Sequence, residues 1–356
     1  MNILREGSSP AFDFGGVIFM TSTLSYIIIA TGLATFILTF IFSKKIIPVL
    51  KSHKMGQKIL DIGPRWHKSK EGTPTMGGII FILASTLSLI GAEIAFALAG
   101  WGVPKLLTAT FVYALANAFI GCVDDTAKLM RRQNEGLTVR QKIALQIFVS
   151  LLYIAALVWL SGPKTELYIP FADITIDLGW YYYAFALILL VGMVNSVNLA
   201  DGIDGLASSE VFVVSLFYIA AAYSGKNVNS STDAEIALLG AVTAGCAAGF
   251  LIYNFHPARV FMGDTGSLFF GAIVVGGSFI MDNPLLCVVF GFMFVLESLS
   301  DIVQVLYFKA TRGKRFFKMA PIHHHFEKCG WSENKIVAVF TLATAILCVL
   351  SYFGLG

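Results

Sequence analysis

Long apolar runs separated by short polar breaks recur along the chain. They fall at about residues 22–43, 76–100, 104–123, 143–161, 180–199, 207–223, 236–254, 267–281, 285–308 and 336–354. Helix must be about 20 residues long to cross a ~30 Å hydrocarbon layer, and most of these runs supply that. Backbone groups in lipid must pair within their own segment, which favours helices. The alternating ten-residue segments of a membrane barrel are missing. The pattern therefore predicts an all-α integral membrane protein of about ten transmembrane helices. Two runs fit less well: 267–281 is short, and 285–308 is interrupted by Glu297 and Asp301. Between the fourth and fifth runs, polar and apolar residues alternate through Leu167-Tyr-Ile-Pro-Phe171 and Ile174-Thr-Ile-Asp-Leu178, which predicts a small external β-hairpin. Gly225–Asp233 reads as a polar turn. No internal repeat or low-complexity tract divides the chain, so residues 1–356 form one polytopic membrane domain.

Composition agrees and excludes a soluble protein. The 356 residues are 56% hydrophobic and 13% charged, against about 25% charged in soluble domains, and mean hydropathy is +0.76. The net charge of +3 matters less than its distribution. Twenty-one of the 25 Lys and Arg lie in the loops 44–75, 124–142, 255–266 and 309–335, all on one side of the expected topology. Only Arg5, Lys105, Lys164 and Lys226 fall on the other. The positive-inside rule places the basic loops in the cytoplasm and both termini outside it. The first twenty residues lack a basic start and a cleavage site, so the first run is expected to remain as a span. Five scattered cysteines form no CxxC pair, which points away from a disulfide framework or a cysteine metal site.

That topology gathers the candidate chemistry on one face. Asp124 and Asp125 end the third run, and Asp201 and Asp204 sit in Asn198-Leu-Ala-Asp-Gly-Ile-Asp-Gly205. Asp264 lies in Phe261-Met-Gly-Asp-Thr-Gly-Ser267, and His323, His324 and His325 follow the ninth run. Each has a plainer alternative: adjacent aspartates can mark a hydrated helix end, and Gly202 and Gly205 can serve a tight turn. Three carboxylate loops among basic loops nevertheless suit Mg²⁺, which is held by a few carboxylates together with substrate phosphates. Lys68, Lys70, Lys128, Arg131, Arg132, Lys142, Lys314 and Arg315 supply counter-charge; anionic lipid explains most of them, and a few can clamp phosphates. Three consecutive histidines on an extended chain diverge, so bonds to substrate or to the fold are expected rather than a shared zinc. No HExxH, P-loop or GxGxxG pattern accompanies them. Glu297, Asp301 and Gln304 share a helical face, as functional groups or as a buried ion pair. Gly245-Cys-Ala-Ala-Gly249 reads as close helix packing, and the thirty Phe as mostly lipid-facing bulk.

Together these motifs resemble the polyprenyl-phosphate N-acetylhexosamine-1-phosphate transferases and, within them, the phospho-N-acetylmuramoyl-pentapeptide transferases. The resemblance rests on Thr73-Pro-Thr-Met-Gly-Gly78, Asp124-Asp125 with Lys128, Asn198–Gly205, Asn254, Phe261–Ser267 and Pro321-Ile-His-His-His-Phe-Glu327, in family order. It implies transfer of phospho-N-acetylmuramoyl-pentapeptide from its UDP form to undecaprenyl phosphate, giving lipid I and UMP with Mg²⁺ as cofactor. It also implies a bacterial cytoplasmic membrane, a site on the cytoplasmic side, a homodimer and contact with membrane lipid, with no nucleic-acid partner. By the same resemblance Asp264 is the metal ligand, and Asp124 with Asp125 deprotonates or orients the lipid phosphate. Phe261 stacks on uracil, and Lys70, Asn198, Asp201 and Asp204 line the nucleoside pocket. Asn254, Gln304 and His323 to His325 complete the cleft, while Lys128 and Lys142 face phosphates. The alternatives are a sister enzyme moving N-acetylglucosamine-1-phosphate and, from another class, a secondary transporter using Glu297 and Asp301. Transporters usually bind at the membrane midplane between repeats, whereas these carboxylates lie at one boundary.

Overall fold

The computed structural model describes residues 13–14, 17–18, 22–52, 70, 72–131, 136–224 and 230–355. Lys68, Arg132, the side chain of Arg131 and residues 225–229 of the polar turn lie outside them. In chain order the elements are β1 (Asp13–Phe14), β2 (Val17–Ile18), α1 (Ser22–Ser52), α2 (Gly78–Leu98), α3 (Lys105–Arg131) and α4 (Val139–Ser161). Next come β3 (Glu166–Ile169), β4 (Ile174–Asp177), α5 (Tyr181–Ala200), α6 (Leu206–Ala222), α7 (Ser230–Asn254) and α8 (Gly263–Ile280). The chain finishes with α9 (Leu286–Phe290), α10 (Phe292–Ala310), α11 (Ile322–Lys328) and α12 (Glu333–Phe353). Among the described residues, eight helices are long and apolar enough to cross a membrane: α1 to α5, α7, α8 and α12. The chain is a multi-pass membrane protein.

All ten apolar runs are helical, but two differ from a simple span. Helix α6, with 17 residues, is short. The run 285–308 is two helices, broken at Gly291, where a Cβ would lie 2.7 Å from the Cys287 carbonyl and 2.9 Å from Met193 Cε. A glycine pressed against a neighbouring helix is an ordinary place for such a break. The expected hairpin is present: β3 and β4 pair antiparallel, with Leu167 opposite Ile176.

Helix α8 forms the centre. Every residue from Thr265 to Ile280 is buried, as expected of a helix apolar on all sides. Its small residues let other backbones approach: a Cβ on Gly271 would stand 2.7 Å from Val194 Cα of α5. The small residues of α7 act likewise against α1, where Gly245 meets the Gly32 carbonyl and Gly249 meets Thr39. The expectation that phenylalanines are mostly lipid-facing needs correcting. Phe81, Phe250, Phe269 and Phe270 are buried together, with Phe81 stacked on Phe270 at 4.3 Å between centroids. Lipid-facing stripes come instead from aliphatic and aromatic residues mixed, such as Tyr26, Ile29, Leu33 and Ile37 on α1.

Contacts of Asp125 with Asp264, Lys142 with Asn198 and Asp264, and Ser208 with Asn254 bring the ends of α3, α5 and α7 and the starts of α4, α6 and α8 to one face. The Thr73–Gly78 motif is pinned to that face by backbone bonds. Phe261 N–H donates to the Pro74 carbonyl at 2.8 Å, Gly77 N–H to the Phe261 carbonyl at 2.8 Å, and Gly78 N–H to the Met262 carbonyl at 3.0 Å.

Candidate active site

Helix α3 continues to Arg131, so Asp124 and Asp125 lie within a helix rather than at its end. Successive helical residues point about 100° apart, and the two carboxylates meet different surroundings. Asp125, 4% exposed, faces the start of α8. One oxygen accepts the Asp264 N–H at 3.2 Å; the other accepts the Thr265 N–H at 2.9 Å and its hydroxyl at 2.7 Å. The first N–H groups of a helix lack intrahelical partners and carry partial positive charge, so this carboxylate clamps the α8 N-terminus. The clamp needs close approach of α3 and α8. At Gly121, one turn before Asp125, a Cβ would fall within 2.2 Å of the Asp264 carbonyl oxygen.

Asp264 is held by three other side chains. Its Oδ2 accepts from Lys128 Nζ at 3.0 Å and Lys142 Nζ at 2.9 Å, and its Oδ1 accepts from Asn198 Nδ2 at 3.0 Å. Asn198 also donates to Ser267 Oγ at 2.7 Å and accepts from Lys142 Nζ at 3.1 Å. Lys142 stands in the first turns of α4, whose start is set by a capping box between Thr138 and Gln141. Asp124 accepts from Lys128 at 2.6 Å and from the Leu137 N–H at 2.7 Å. Oxygens of Asp124, Asp125 and Asp264 lie within 4.8 Å of one another. Three carboxylates and two ammonium groups from α3, α4 and α8 thus form one cluster.

The second centre joins more distant segments. Lys70 Nζ lies 2.8 Å from Asp204 Oδ1 and 2.6 Å from Glu333 Oε2. Asp204 Oδ2 accepts the Ala258 N–H at 3.0 Å and lies 2.9 Å from His256 Nδ1. Burial alone would push Asp204 up; the Lys70 ammonium, the Ala258 N–H and His256 outweigh it and hold this carboxyl below the usual carboxylate range. Asp201 is the opposite case. Burial, then the carboxylates of Asp264, Asp125 and Asp204, push it well above that range. A raised folded-state value means that any stability from Asp201 is present below its unfolded value of ~3.9 and is lost as pH rises. Asp201→Asn is therefore expected to raise the thermal midpoint in detergent at pH 7 and to give no gain at pH 3.5. A lower midpoint at pH 7 would contradict this.

The other expected site residues are placed as follows. Phe261 is half-buried, beside the Pro74–Gly77 segment. Asn254 is 2% exposed; its amide accepts from Ser208 Oγ at 2.9 Å and donates to the Val260 carbonyl at 3.0 Å, which fixes the loop before α8. Gln304 accepts the Phe316 and Phe317 N–H groups at 3.1 and 2.9 Å and so braces the segment after α10. The histidines occupy the short helix α11, not an extended chain, and take separate partners. His323 Nδ1 lies 3.1 Å from Glu297 Oε2, His324 Nδ1 lies 2.5 Å from Glu327 Oε2, and His325 Nδ1 accepts the Lys318 N–H at 3.1 Å. His323 sits beneath the 201–205 turn, in the space a Cβ on Gly202 would need. Gly121, His256 and Glu333 escape the sequence reading. Only Gly121 leaves a trace there, as a small residue one helical turn from the acidic pair.

The Gly121 contact gives a direct expectation. Gly121→Ala drives a methyl into the α8 backbone, and overpacking costs about 1–3 kcal/mol. Turnover and the thermal midpoint should both fall, whereas Gly91→Ala, with open space around it, should change neither. A Gly121→Ala protein of native stability and rate would show that the helices do not meet this closely.

The donor set of the first cluster is all hard carboxylate oxygen, without thiolate or imidazole, which suits Mg²⁺ rather than zinc or copper. Asp204, His256 and Glu333 also stand close enough together to hold an ion; that set includes an imidazole, and Lys70 bonds both of its carboxylates, as Lys128 bonds Asp124 and Asp264 in the first cluster.

Comparison with known proteins agrees with the motifs. Residues 107–282 match the family model "Glycosyl transferase family 4", and residues 70–82 match "Phospho-N-acetylmuramoyl-pentapeptide-transferase signature 1". The phospho-N-acetylmuramoyl-pentapeptide-transferase of Clostridium acetobutylicum is 41% identical over 336 residues, covering 92% of this chain and 99% of the relative. That of Clostridioides difficile is 42% identical, covering 90% and 95%, and that of Bacillus cytotoxicus 39%, covering 92% and 97%. With relatives this similar over nearly their whole length, the chain belongs to the phospho-N-acetylmuramoyl-pentapeptide transferase family.

Proposed function

We propose that this protein transfers phospho-N-acetylmuramoyl-pentapeptide from its UDP-activated form to undecaprenyl phosphate, releasing UMP and forming lipid I. The observation that carries the reading is the meeting of Asp124, Asp125 and Asp264 with Lys128 and Lys142 at one end of the membrane helices. The reaction joins a water-soluble pyrophosphate to a phosphate whose tail stays in lipid, and such a boundary site reaches both. The basic loops on this face support its placement on the cytoplasmic side of a bacterial cytoplasmic membrane. A homodimer, implied by the family resemblance, belongs to the same reading.

An oxygen of the prenyl phosphate attacks the sugar-bearing phosphorus; a new P–O bond forms as the bond to the UMP oxygen breaks. The second pKa of a phosphate monoester is ~6, so at pH 7 the nucleophile needs little deprotonation. Asp124 then serves mainly to orient it and to hold Lys128. Lys128 and Lys142 neutralise charge on the transferring group, and Asn198 fixes Lys142. Asp264, with Asp124 beside it, would hold a Mg²⁺ ion, which when bound screens the phosphates and stabilises charge at the phosphorus. Asp125 keeps Asp264 in place through the α8 N-terminus. Lys70, Asp204 and Phe261 lie toward the nucleoside end of the donor.

A donor panel tests the substrate. Purified protein with undecaprenyl phosphate should release UMP from UDP-N-acetylmuramoyl-pentapeptide at least about a hundredfold faster than from UDP-N-acetylglucosamine, since polar recognition groups left unpaired cost several kcal/mol. The reverse preference would make it the sister enzyme. In the same assay Phe261→Ala should raise the KM for the UDP-sugar about tenfold, the worth of one stacked base, with little effect on undecaprenyl phosphate. An unchanged nucleotide KM would remove Phe261 from the pocket.

A further inference from the structure

Lys70 bonds two carboxylates at once. The ammonium is 2.8 Å from Asp204 and 2.6 Å from Glu333, and the three side chains are 12%, 1% and 10% exposed. Glu333 Oε2 also accepts the Asp204 N–H at 3.3 Å and lies 3.6 Å from His256 Nδ1. Four parts of the chain thus meet: Lys70 ahead of the Thr73–Gly78 motif, the 201–205 turn, the 256–258 loop and the start of α12. Glu333 is the first residue of α12, after the N-cap Ser332, whose side chain accepts the Lys335 N–H at 3.3 Å. Its place is therefore set by a helix that packs on α6, and α6 itself begins directly after the 201–205 turn.

An unrestrained lysine loses rotamer entropy when it grips a ligand. Holding the ammonium beforehand removes much of that cost, which is how preorganisation raises affinity. Asp204 alone would leave Lys70 one anchor; Glu333 gives it a second and ties the backbone of the turn to the same atom. We propose that Glu333 is a positioning residue for the donor nucleotide, acting through Lys70. The proposal rests on the reading of Lys70 as a nucleotide-pocket residue.

Steady-state kinetics of Glu333→Gln, Glu333→Asp, Lys70→Met and the double variant Lys70→Met/Glu333→Gln test it, with thermal midpoints measured in the same detergent. Glu333→Gln should raise the KM for the UDP-sugar about tenfold, the worth of one hydrogen bond to a charged group. The kcat and the KM for undecaprenyl phosphate should stay within about twofold, and Glu333→Asp should recover part of the loss. The double variant should be no worse than Lys70→Met alone, because both changes break one interaction. A purely structural role would lower kcat through the active fraction and leave the nucleotide KM unmoved; that result overturns the proposal. So does full additivity of the two changes. A normal nucleotide KM in Lys70→Met overturns the placement of Lys70 itself, whereas a raised KM there with a normal one in Glu333→Gln overturns only the positioning role.

Discussion

Asp264→Asn is expected to reduce UMP release by about three orders of magnitude, the scale of losing a principal electrostatic group in a catalytic site. The carboxylate accepts from Lys128, Lys142 and Asn198. An amide of the same shape turns one acceptor into a donor facing those donors, and it removes the charge that would hold Mg²⁺. The thermal midpoint should fall modestly, since those donors lose their acceptor, while donor binding should be largely kept, because the backbone contacts of the α8 start do not involve this side chain. Loss of turnover with retained nucleotide binding is the signature. Turnover above about a tenth of the native rate would exclude Asp264 as the metal ligand.

Asp125→Asn comes next in size. Both oxygens of Asp125 accept from the α8 N-terminus and Thr265. The amide would set a donor against those donors, costing about 1–3 kcal/mol for the unpaired groups, together with the charge–dipole term at the helix end. Turnover should fall about a hundredfold as Asp264 shifts, and the loss should lie in kcat. A loss confined to the KM of either substrate, with kcat unchanged, would contradict the clamp.

The lipid-crossing architecture was legible because apolar length and the asymmetry of Lys and Arg are properties of segments, not of contacts. The same asymmetry puts Asp124, Asp201 and Asp264 on one face. What the sequence hid was direction. Asp124 and Asp125 are identical letters, and only the approach of α8 across Gly121 decides which one clamps the helix. Three adjacent histidines carry no mark of the helix Ile322–Lys328, in which each imidazole meets its own partner. The Lys70–Glu333 contact joins residues 263 positions apart; no periodicity or motif spacing reports such a pair. The break at Gly291 is likewise unmarked, since the visible interruptions of that run are Glu297 and Asp301.

Product analysis of purified protein given UDP-N-acetylmuramoyl-pentapeptide, undecaprenyl phosphate and Mg²⁺ bears most directly on the central assignment. Equal amounts of UMP and prenyl-linked phospho-N-acetylmuramoyl-pentapeptide should form, and omitting the prenyl phosphate should abolish net turnover. Nucleotide release without a lipid-linked product, or no release with both substrates present, would contradict a phospho-sugar transferase seated among these aspartates and lysines.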